Sequence, residues 1–238
     1  MSRDFEKHSL RTAILVDGGF YRKRASSLFG AKSPKDRANE LKEYCYKHLS
    51  DKYENRYLYR VFYYDCPPID KVVFDPVSGK SINLRKSPEY AWAMDFFSEL
   101  KHQRKFALRM GRLSDSQIYY NLKYQSTKRL MNKSLSVDDL TLSDFELHLE
   151  QKGVDMRIGI DISSLAFKKQ VNQIILISGD SDFVPASKQA RREGIDFILD
   201  PMGSVIKADL FEHIDGIRTQ INKFKRRDTP AEEGPFDE

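Results

Sequence analysis

The chain has few of the residues on which secreted or membrane proteins depend. It contains two cysteines in 238 residues, without a C-x-x-C spacing, which excludes a disulfide framework and a cysteine-based zinc site. No apolar stretch approaches the ~18 residues of a membrane-spanning helix, and the N-terminal residues lack the apolar core of a secretory signal. We therefore expect a cytoplasmic protein without a membrane partner.

Several catalytic and nucleotide-binding signatures are also missing. Neither G-x-G-x-x-G nor G-x-x-x-x-G-K-[ST] occurs, and the five histidines are scattered without metal-ligand spacing. A phosphatase of the HAD type needs a second Asp two residues after its nucleophile, whereas Asp17 is followed by two glycines. These classes of enzyme are therefore disfavoured.

Charge is abundant and unevenly distributed. The net charge is +5, but residues 80–135 carry twelve Lys or Arg against four acids, and residues 136–182 carry nine acids against four bases. A basic region beside an acidic one suits an enzyme that acts on a polyanion through metal ions. Charged helix faces exposed to solvent would give the same composition.

Short apolar segments alternate with helical patterns. The patterns predict strands at 12–16, 57–64, 105–113, 173–178 and 195–199, and helices directly after Asp17 and at 36–51, 89–103, 153–169, 183–192 and 205–211. This alternation is typical of an α/β protein, and we predict a three-layer α/β/α fold with a mainly parallel central sheet.

The domain organisation follows from the same patterns. We predict one domain over residues 1–225 with an insertion at about 114–150, followed by a disordered acidic tail at 226–238. The insertion is compatible with a lid or with an element of a homodimer.

Four acids are placed where they can converge. Asp17 and Asp180 directly follow the two most apolar strands, Asp182 lies two residues further on, and Asp155 lies in the first turn of the helix before the second strand. Carboxylates gathered in one pocket repel each other unless a hard cation neutralises them, which indicates Mg²⁺ or Mn²⁺. Asp161 is a further candidate ligand, although it lies about 240° further round the helix than Asp155.

Each acid also has a structural explanation. Asp17 could be a turn residue before two glycines, Asp155 is favourable in a first helical turn, and Asp182 could cap the helix that begins near Phe183. Capping alone does not explain why acids recur at strand ends.

Three segments together resemble one family. These are VDGGF at 16–20, KGVD at 152–155 and SGDSDFVP at 178–185. They are similar to the NYN family of PIN-like ribonucleases, in particular to its LabA-like branch, over about residues 11–203. The resemblance implies a Rossmann-like PIN fold and metal-dependent hydrolysis of phosphodiester bonds, with RNA favoured over DNA as the partner.

The resemblance also implies the roles of particular residues. It assigns the catalytic and metal-binding acids to Asp17, Asp155, Asp180 and Asp182, and Ser178 can contribute its hydroxyl to the same site. Phe20 departs from the pattern, because many members have Asn there. The alternative to a nuclease is a nucleic-acid-binding or regulatory module that keeps the PIN-like fold without catalysis.

Basic residues could contact the phosphates of a bound strand. The candidates are Arg22, Lys23 and Arg24 after the Asp17 turn, and Arg85, Lys86, Arg104, Lys105, Arg109 and Arg112 in the basic region. Three tyrosines, Tyr119, Tyr120 and Tyr124, could stack on bases or could pack within strands.

We predict that binding to a single-stranded oligonucleotide weakens steeply with salt. Each phosphate neutralised by Lys or Arg contributes about −0.7 to the slope of log affinity against log salt concentration. The measurement is a titration in EDTA at several salt concentrations. An affinity that is equal at low and physiological salt would show that the basic region is only a solvated surface.

Overall fold

Six parallel strands form the central sheet of the computed structural model, which describes residues 9–50, 54–113, 118–148 and 151–222. The strands are β1 (Ser9–Asp17), β2 (Asn55–Asp65), β3 (Val72–Phe74), β4 (Ser81–Asn83), β5 (Phe106–Met110), β6 (Arg112–Leu113), β7 (Tyr119–Leu122), β8 (Phe145–His148), β9 (Gln151–Lys152), β10 (Gln173–Ile177), β11 (Asp196–Asp200) and β12 (Gly216–Ile217). The helices are α1 (Gly18–Phe29), α2 (Pro34–Leu49), α3 (Pro88–His102), α4 (Tyr124–Met131), α5 (Val154–Phe167), α6 (Val184–Arg192) and α7 (Ala208–Glu212).

The sheet has the order β12-β11-β10-β1-β2-β5. Its centre is formed by β1 and β10, which pair in parallel from Thr12↔Gln173 to Val16↔Ile177. Both strands are buried along their apolar residues, because helices cover both faces of the sheet. The prediction of a three-layer α/β/α fold is confirmed, and the central sheet is parallel throughout.

Each face of the sheet carries its own set of helices. Helices α1, α2 and α3 pack on one face through residues such as Tyr21, Leu41 and Phe96. Helices α5, α6 and α7 pack on the other face through residues such as Ile162 and Leu210. Two apolar clusters therefore stabilise the sheet from opposite sides.

The order of the strands reverses between β1 and β10. From β1 the chain proceeds through β2 to β5 in one direction, and from β10 it proceeds through β11 to β12 in the other. Helix α1 follows β1 on one face, whereas α6 follows β10 on the opposite face. The loops therefore separate at the carboxyl ends of these two strands, which is where open α/β sheets bind their ligands.

Short elements lie outside the central sheet. Strand β6 pairs with β9, and β7 pairs with β8, so residues 112–152 leave and rejoin the domain through the pair Arg112↔Lys152. Within the predicted insertion the described residues form α4 and two 3-10 turns besides these strands. The predicted tail at 226–238 lies outside the described residues. No helix in the described ranges has the length and apolar character needed to cross a membrane.

Two predicted elements were wrong in extent. The strand predicted at 105–113 ends at Met110, because residues 112–113 pair with β9 and no longer with β2. Gly111 allows this change, since a Cβ there would approach the Lys152 carbonyl to 2.9 Å. The helix predicted at 205–211 begins only at Ala208. The side chain of Val205 is 98% exposed, so it provides no apolar contact that would hold an earlier turn.

The two glycines after Asp17 differ in the space around them, which gives a matched pair of variants. A Cβ on Gly18 would lie 2.6 Å from the Tyr63 ring and from the Tyr64 carbonyl, whereas a Cβ on Gly19 would meet only Asp17 Oδ1 at 3.6 Å. We expect Gly18→Ala to lower the free energy of unfolding by about 1–3 kcal/mol through overpacking. Gly19→Ala should leave it unchanged or raise it slightly, because Ala favours helix more than Gly.

Denaturant titration of both variants tests this expectation. Equal stabilities for the two variants would contradict the close contact between α1 and β2.

Candidate active site at the carboxyl edge of the sheet

The motifs at 16–20 and 178–185 meet where the order of the strands reverses, between β1 and β10. Asp17 ends β1, and Ser178 follows β10 beside it. The hydroxyl of Ser178 donates a hydrogen bond to Asp17 Oδ2 at 3.2 Å. The Phe20 ring covers Gly179, where a Cβ would approach it to 2.8 Å. The aromatic residue at position 20 therefore packs the two motifs against each other.

Asp17 caps a helix and also lies in the candidate site. Its Oδ1 accepts a hydrogen bond from the Phe20 backbone N–H at 3.1 Å, which makes it the N-cap of α1. Burial raises the pKa of Asp17, the hydrogen bonds from Phe20 and Ser178 oppose this rise, and the charge of Asp155 adds to it. Its carboxylate is therefore stabilised by two hydrogen-bond donors and repelled by the charges of Asp155 and Asp65.

Asp180 and Asp182 lie in a tight turn that follows β10. The turn is the 3-10 helix Ser181–Phe183, and Asp180 caps it by accepting a hydrogen bond from the Asp182 backbone N–H at 3.0 Å. Both acidic side chains are exposed. The interpretation of Asp182 as the cap of the next helix was wrong, because Phe183 occupies the cap position of α6 and makes no side-chain cap.

Asp155 reaches the same edge from α5. It lies in the first turn of that helix, which begins after Gly153 in a left-handed conformation with φ of 80°. Burial raises the pKa of Asp155, and the negative charges of Asp180 and Asp182 raise it further. The three acids thus repel one another, which is the condition that a bound cation relieves.

The oxygen atoms of these carboxylates and of the Ser178 hydroxyl are chemically suited to a hard divalent cation. Carboxylate and hydroxyl oxygens are the ligands that Mg²⁺ and Mn²⁺ prefer. Within the described ranges, however, no three Asp, Glu, His or Cys side chains are grouped closely enough to hold one ion. Binding would therefore require the exposed side chains of Asp155, Asp180 and Asp182 to turn toward a common point.

Asp161 points away from this group. Its Oδ2 accepts hydrogen bonds from the Tyr64 hydroxyl at 2.8 Å and from Arg109 Nε at 3.0 Å. The Arg109 guanidinium also lies over the Phe62 ring, 5.1 Å from its centre. Asp161 thus joins α5 to the ends of β2 and β5, one to two helical turns from Asp155.

Asp65 is an acid at this edge that the sequence analysis missed. It ends β2, which neighbours β1, and it accepts hydrogen bonds from Arg22 at 3.0 Å and from the Tyr63 hydroxyl at 3.0 Å. Burial raises the pKa of Asp65, while the Arg22 charge opposes the rise. The available signal was the same as for Asp17, an acid directly after a buried strand, here before Cys66-Pro67-Pro68.

The predicted basic contacts divide into two groups. Some are engaged within the protein: Arg22 with Asp65, Arg24 with the Met202 carbonyl, Lys105 with the Leu58 carbonyl and Arg109 with Asp161. The others, Lys23, Arg85, Lys86, Arg104 and Arg112, are exposed, and so are Lys105 and Arg109 of the first group. Arg104 and Lys105 precede β5 and so lie at the amino edge of the sheet, opposite Asp17, because all six strands run in parallel.

Lys207 is a basic residue near the acids that the sequence analysis did not select. Its Nζ donates a hydrogen bond to Ser181 Oγ at 3.1 Å, inside the turn that carries Asp180 and Asp182. No motif surrounds Lys207, so only the folding of the chain after β11 reveals its position.

A comparison with known families identifies the class of protein. The family model of the NYN domain matches residues 83–209, more than half of the chain. The chain belongs to the NYN domain family, and this family is part of the PIN-like nuclease superfamily. Asp155, Asp180 and Asp182 lie within the matched residues, whereas Asp17 lies before them.

The chain is also similar to a solved structure, the crystal structure of a protein of unknown function from Vibrio parahaemolyticus. The similarity covers 91% of this chain and 94% of that one, at 14% sequence identity and a TM-score of 0.48. No curated protein matches the chain.

The raised pKa of Asp17 predicts a pH-dependent gain of stability in Asp17→Asn without metal. Asn keeps the capping oxygen but removes the buried charge, so this variant should melt higher than the wild type in EDTA at pH 7.5. A carboxyl whose pKa is raised by folding loses stability as pH rises above its unfolded value of about 3.9. The advantage of Asn should therefore shrink as pH falls toward 4.

Asp17→Ala is the control, since it removes the same charge together with the cap. It should be less stable than Asp17→Asn by about 0.5–2 kcal/mol. An Asn variant that melts below the wild type across this pH range would contradict the predicted effect of burial.

Proposed function

We propose that this NYN protein is a metal-dependent ribonuclease that hydrolyses phosphodiester bonds in single-stranded or structured RNA in the cytoplasm. The observation that carries the proposal is the meeting of Asp17 with the Ser178–Asp182 turn at the reversal of strand order. Asp155 at the start of α5 lies near enough to Asp180 and Asp182 for their charges to raise its pKa. A purely structural turn would not need that excess of negative charge.

In the proposed site, Asp17, Asp155, Asp180 and Asp182 would hold Mg²⁺ or Mn²⁺. A divalent ion there would supply an activated water and charge stabilisation for phosphodiester hydrolysis. The hydroxyl of Ser178 and the Phe20 N–H orient the carboxylate of Asp17. We leave Asp161 out of the set, because Tyr64 and Arg109 occupy its carboxylate.

Basic residues would position the RNA strand in the proposed site. Lys207 fixes the acidic turn through Ser181 and places a positive charge close to a bound phosphate. The exposed cations Lys23, Arg85, Lys86 and Arg112 would attract the polyanionic strand. RNA as the preferred substrate, and membership of the LabA-like branch, rest on the motifs at 16–20, 152–155 and 178–185.

A non-catalytic nucleic-acid-binding module is the second candidate. Two observations favour it: the acids of the described residues are not gathered around one point, and the Phe20 ring occupies the position where many NYN members have Asn. Such a module would bind the same strands without cleaving them.

Cleavage of labelled RNA and DNA strands separates these functions. We expect cleavage of RNA with Mg²⁺ or Mn²⁺ and none in EDTA. Asp155→Asn and Asp180→Asn should each reduce the rate at least about a hundredfold, since loss of a charged ligand removes several kcal/mol of stabilisation from the transition state. Both variants should keep their affinity for the strand.

The matched control is Asp139→Asn, which removes an exposed acid from the segment between β7 and β8. It should cleave at the wild-type rate. Full cleavage by Asp180→Asn would contradict the assignment of these acids, and strand binding without any cleavage by the wild type would favour the binding module.

A further inference from the structure

A cavity of about 350 Å³ opens beside the proposed site, on the side of β2 and β5. It lies between the loop that follows Asp65 and α3, and Leu113 of β6 and Leu147 of β8 also line it. The established membership of the NYN family assigns no role to this space. Its volume is at the lower end of the range for small-molecule sites.

The walls of the cavity are mainly apolar. Pro67 and Pro68 contribute one part, while Tyr90 and Phe97 of α3 contribute aromatic rings. Polar groups are few, namely Arg22, Ser87 and Glu89. Apolar and aromatic walls with a few hydrogen-bonding groups suit a flat heterocycle that also carries polar edges.

Arg22 connects the cavity to the acids. Its guanidinium lines the cavity, and its Nη2 binds the carboxylate of Asp65 at 3.0 Å. Asp65 follows Tyr64, which is paired with Asp17 across β1 and β2. The Nε of Arg22 is buried and has no hydrogen-bond partner in the part of the chain that the structure describes. Arg22 therefore joins the wall of the cavity to the carboxyl end of β2.

Three exposed cations, which we call the rim, are chain neighbours of residues that line the cavity, and the lining itself includes one acid, Glu89. Leu84 lines the cavity, and the next two residues of its 3-10 turn are the exposed Arg85 and Lys86. Arg112 is exposed directly before Leu113 on the other side. An apolar peptide would gain nothing from this charge, whereas a nucleotide offers a ring for the cavity and phosphates for the rim.

We propose that the cavity binds one nucleobase of the strand whose phosphodiester bond lies at the acids, and that it thereby sets the register of the strand. This inference rests on the proposed function for the identity of the strand. The base would lie between the aromatic residues of α3 and the loop after β2, while the adjoining phosphates contact Arg85, Lys86 and Arg112.

The test is a scan with six-nucleotide RNA strands that each lack one base. Binding is measured by fluorescence anisotropy in EDTA, so that no cleavage intervenes. We expect one position at which removal of the base weakens binding about tenfold or more, which corresponds to about 1.4 kcal/mol. Removal at the other positions should have smaller effects. A flat scan would overturn the proposal.

Variants that fill the cavity provide the second measurement. In Leu147→Trp the larger ring should occupy the cavity, so that the intact strand and the strand lacking the critical base bind equally weakly. Leu142→Trp is the matched control outside the cavity and should keep the wild-type scan. Leu84→Trp fills the cavity from the opposite wall, and it replaces Leu147→Trp if that variant does not fold. A base-dependent scan that persists in a folded filled variant would overturn the proposal.

Two further arms separate the alternatives. We expect a free nucleoside monophosphate to compete only weakly with the RNA strand. If the monophosphate binds as tightly as the strand and the scan shows no position dependence, the cavity is a site for a free nucleotide, which would overturn the proposal. Cleavage is measured in parallel with Mn²⁺. Cleavage with a flat scan would leave the nuclease intact and reject the base site, whereas a position-dependent scan without cleavage would support the base site and reject the nuclease.

Discussion

The burial of β1 and β10 at the centre of the sheet is the constraint on which the site depends. Helices cover both faces of these strands, and residues 13–16 and 174–177 are accordingly apolar and fully buried. Asp17 and Ser178 are the first polar side chains after these apolar runs, and they satisfy each other through a hydrogen bond. Because the two strands are parallel neighbours, those positions coincide at one edge, and the chain leaves them toward opposite faces.

The same carboxylates serve the fold and the candidate chemistry. Asp17 caps α1 and accepts a hydrogen bond from Ser178, and Asp180 caps the turn that contains Asp182. Capping and ligand binding are therefore not exclusive interpretations of these residues. For Asp17 the cap fixes one carboxylate oxygen by a backbone N–H, so this side chain would lose less conformational freedom when an ion binds.

The sequence predicted the sheet well because its determinants are local. The apolar segments of β1 and β10 end in short acidic turns, and this pattern suffices to place Asp17 and Asp180 at strand ends. The roles of Asp65 and Asp161 could not be predicted in this way. Their partners Arg22 and Arg109 are 43 and 52 residues away in the chain, and they meet only through the pairing of β2 with its neighbours and the packing of α5.

The pairing of these arginines with acids reduces the positive charge that is available to a partner. Arg22 and Arg109 offset buried or half-buried acids, Arg24 binds a backbone carbonyl, and Lys105 does so at the amino edge. The charge that remains exposed near the candidate site is therefore smaller than the composition of residues 80–135 implies. It includes Arg85, Lys86 and Arg112, which are chain neighbours of residues lining the cavity, and Lys23 and Lys207 near the acids. Part of the positive charge of residues 80–135 thus stabilises the fold at the carboxyl edge of the sheet, and only the remainder is free to act on a charged partner.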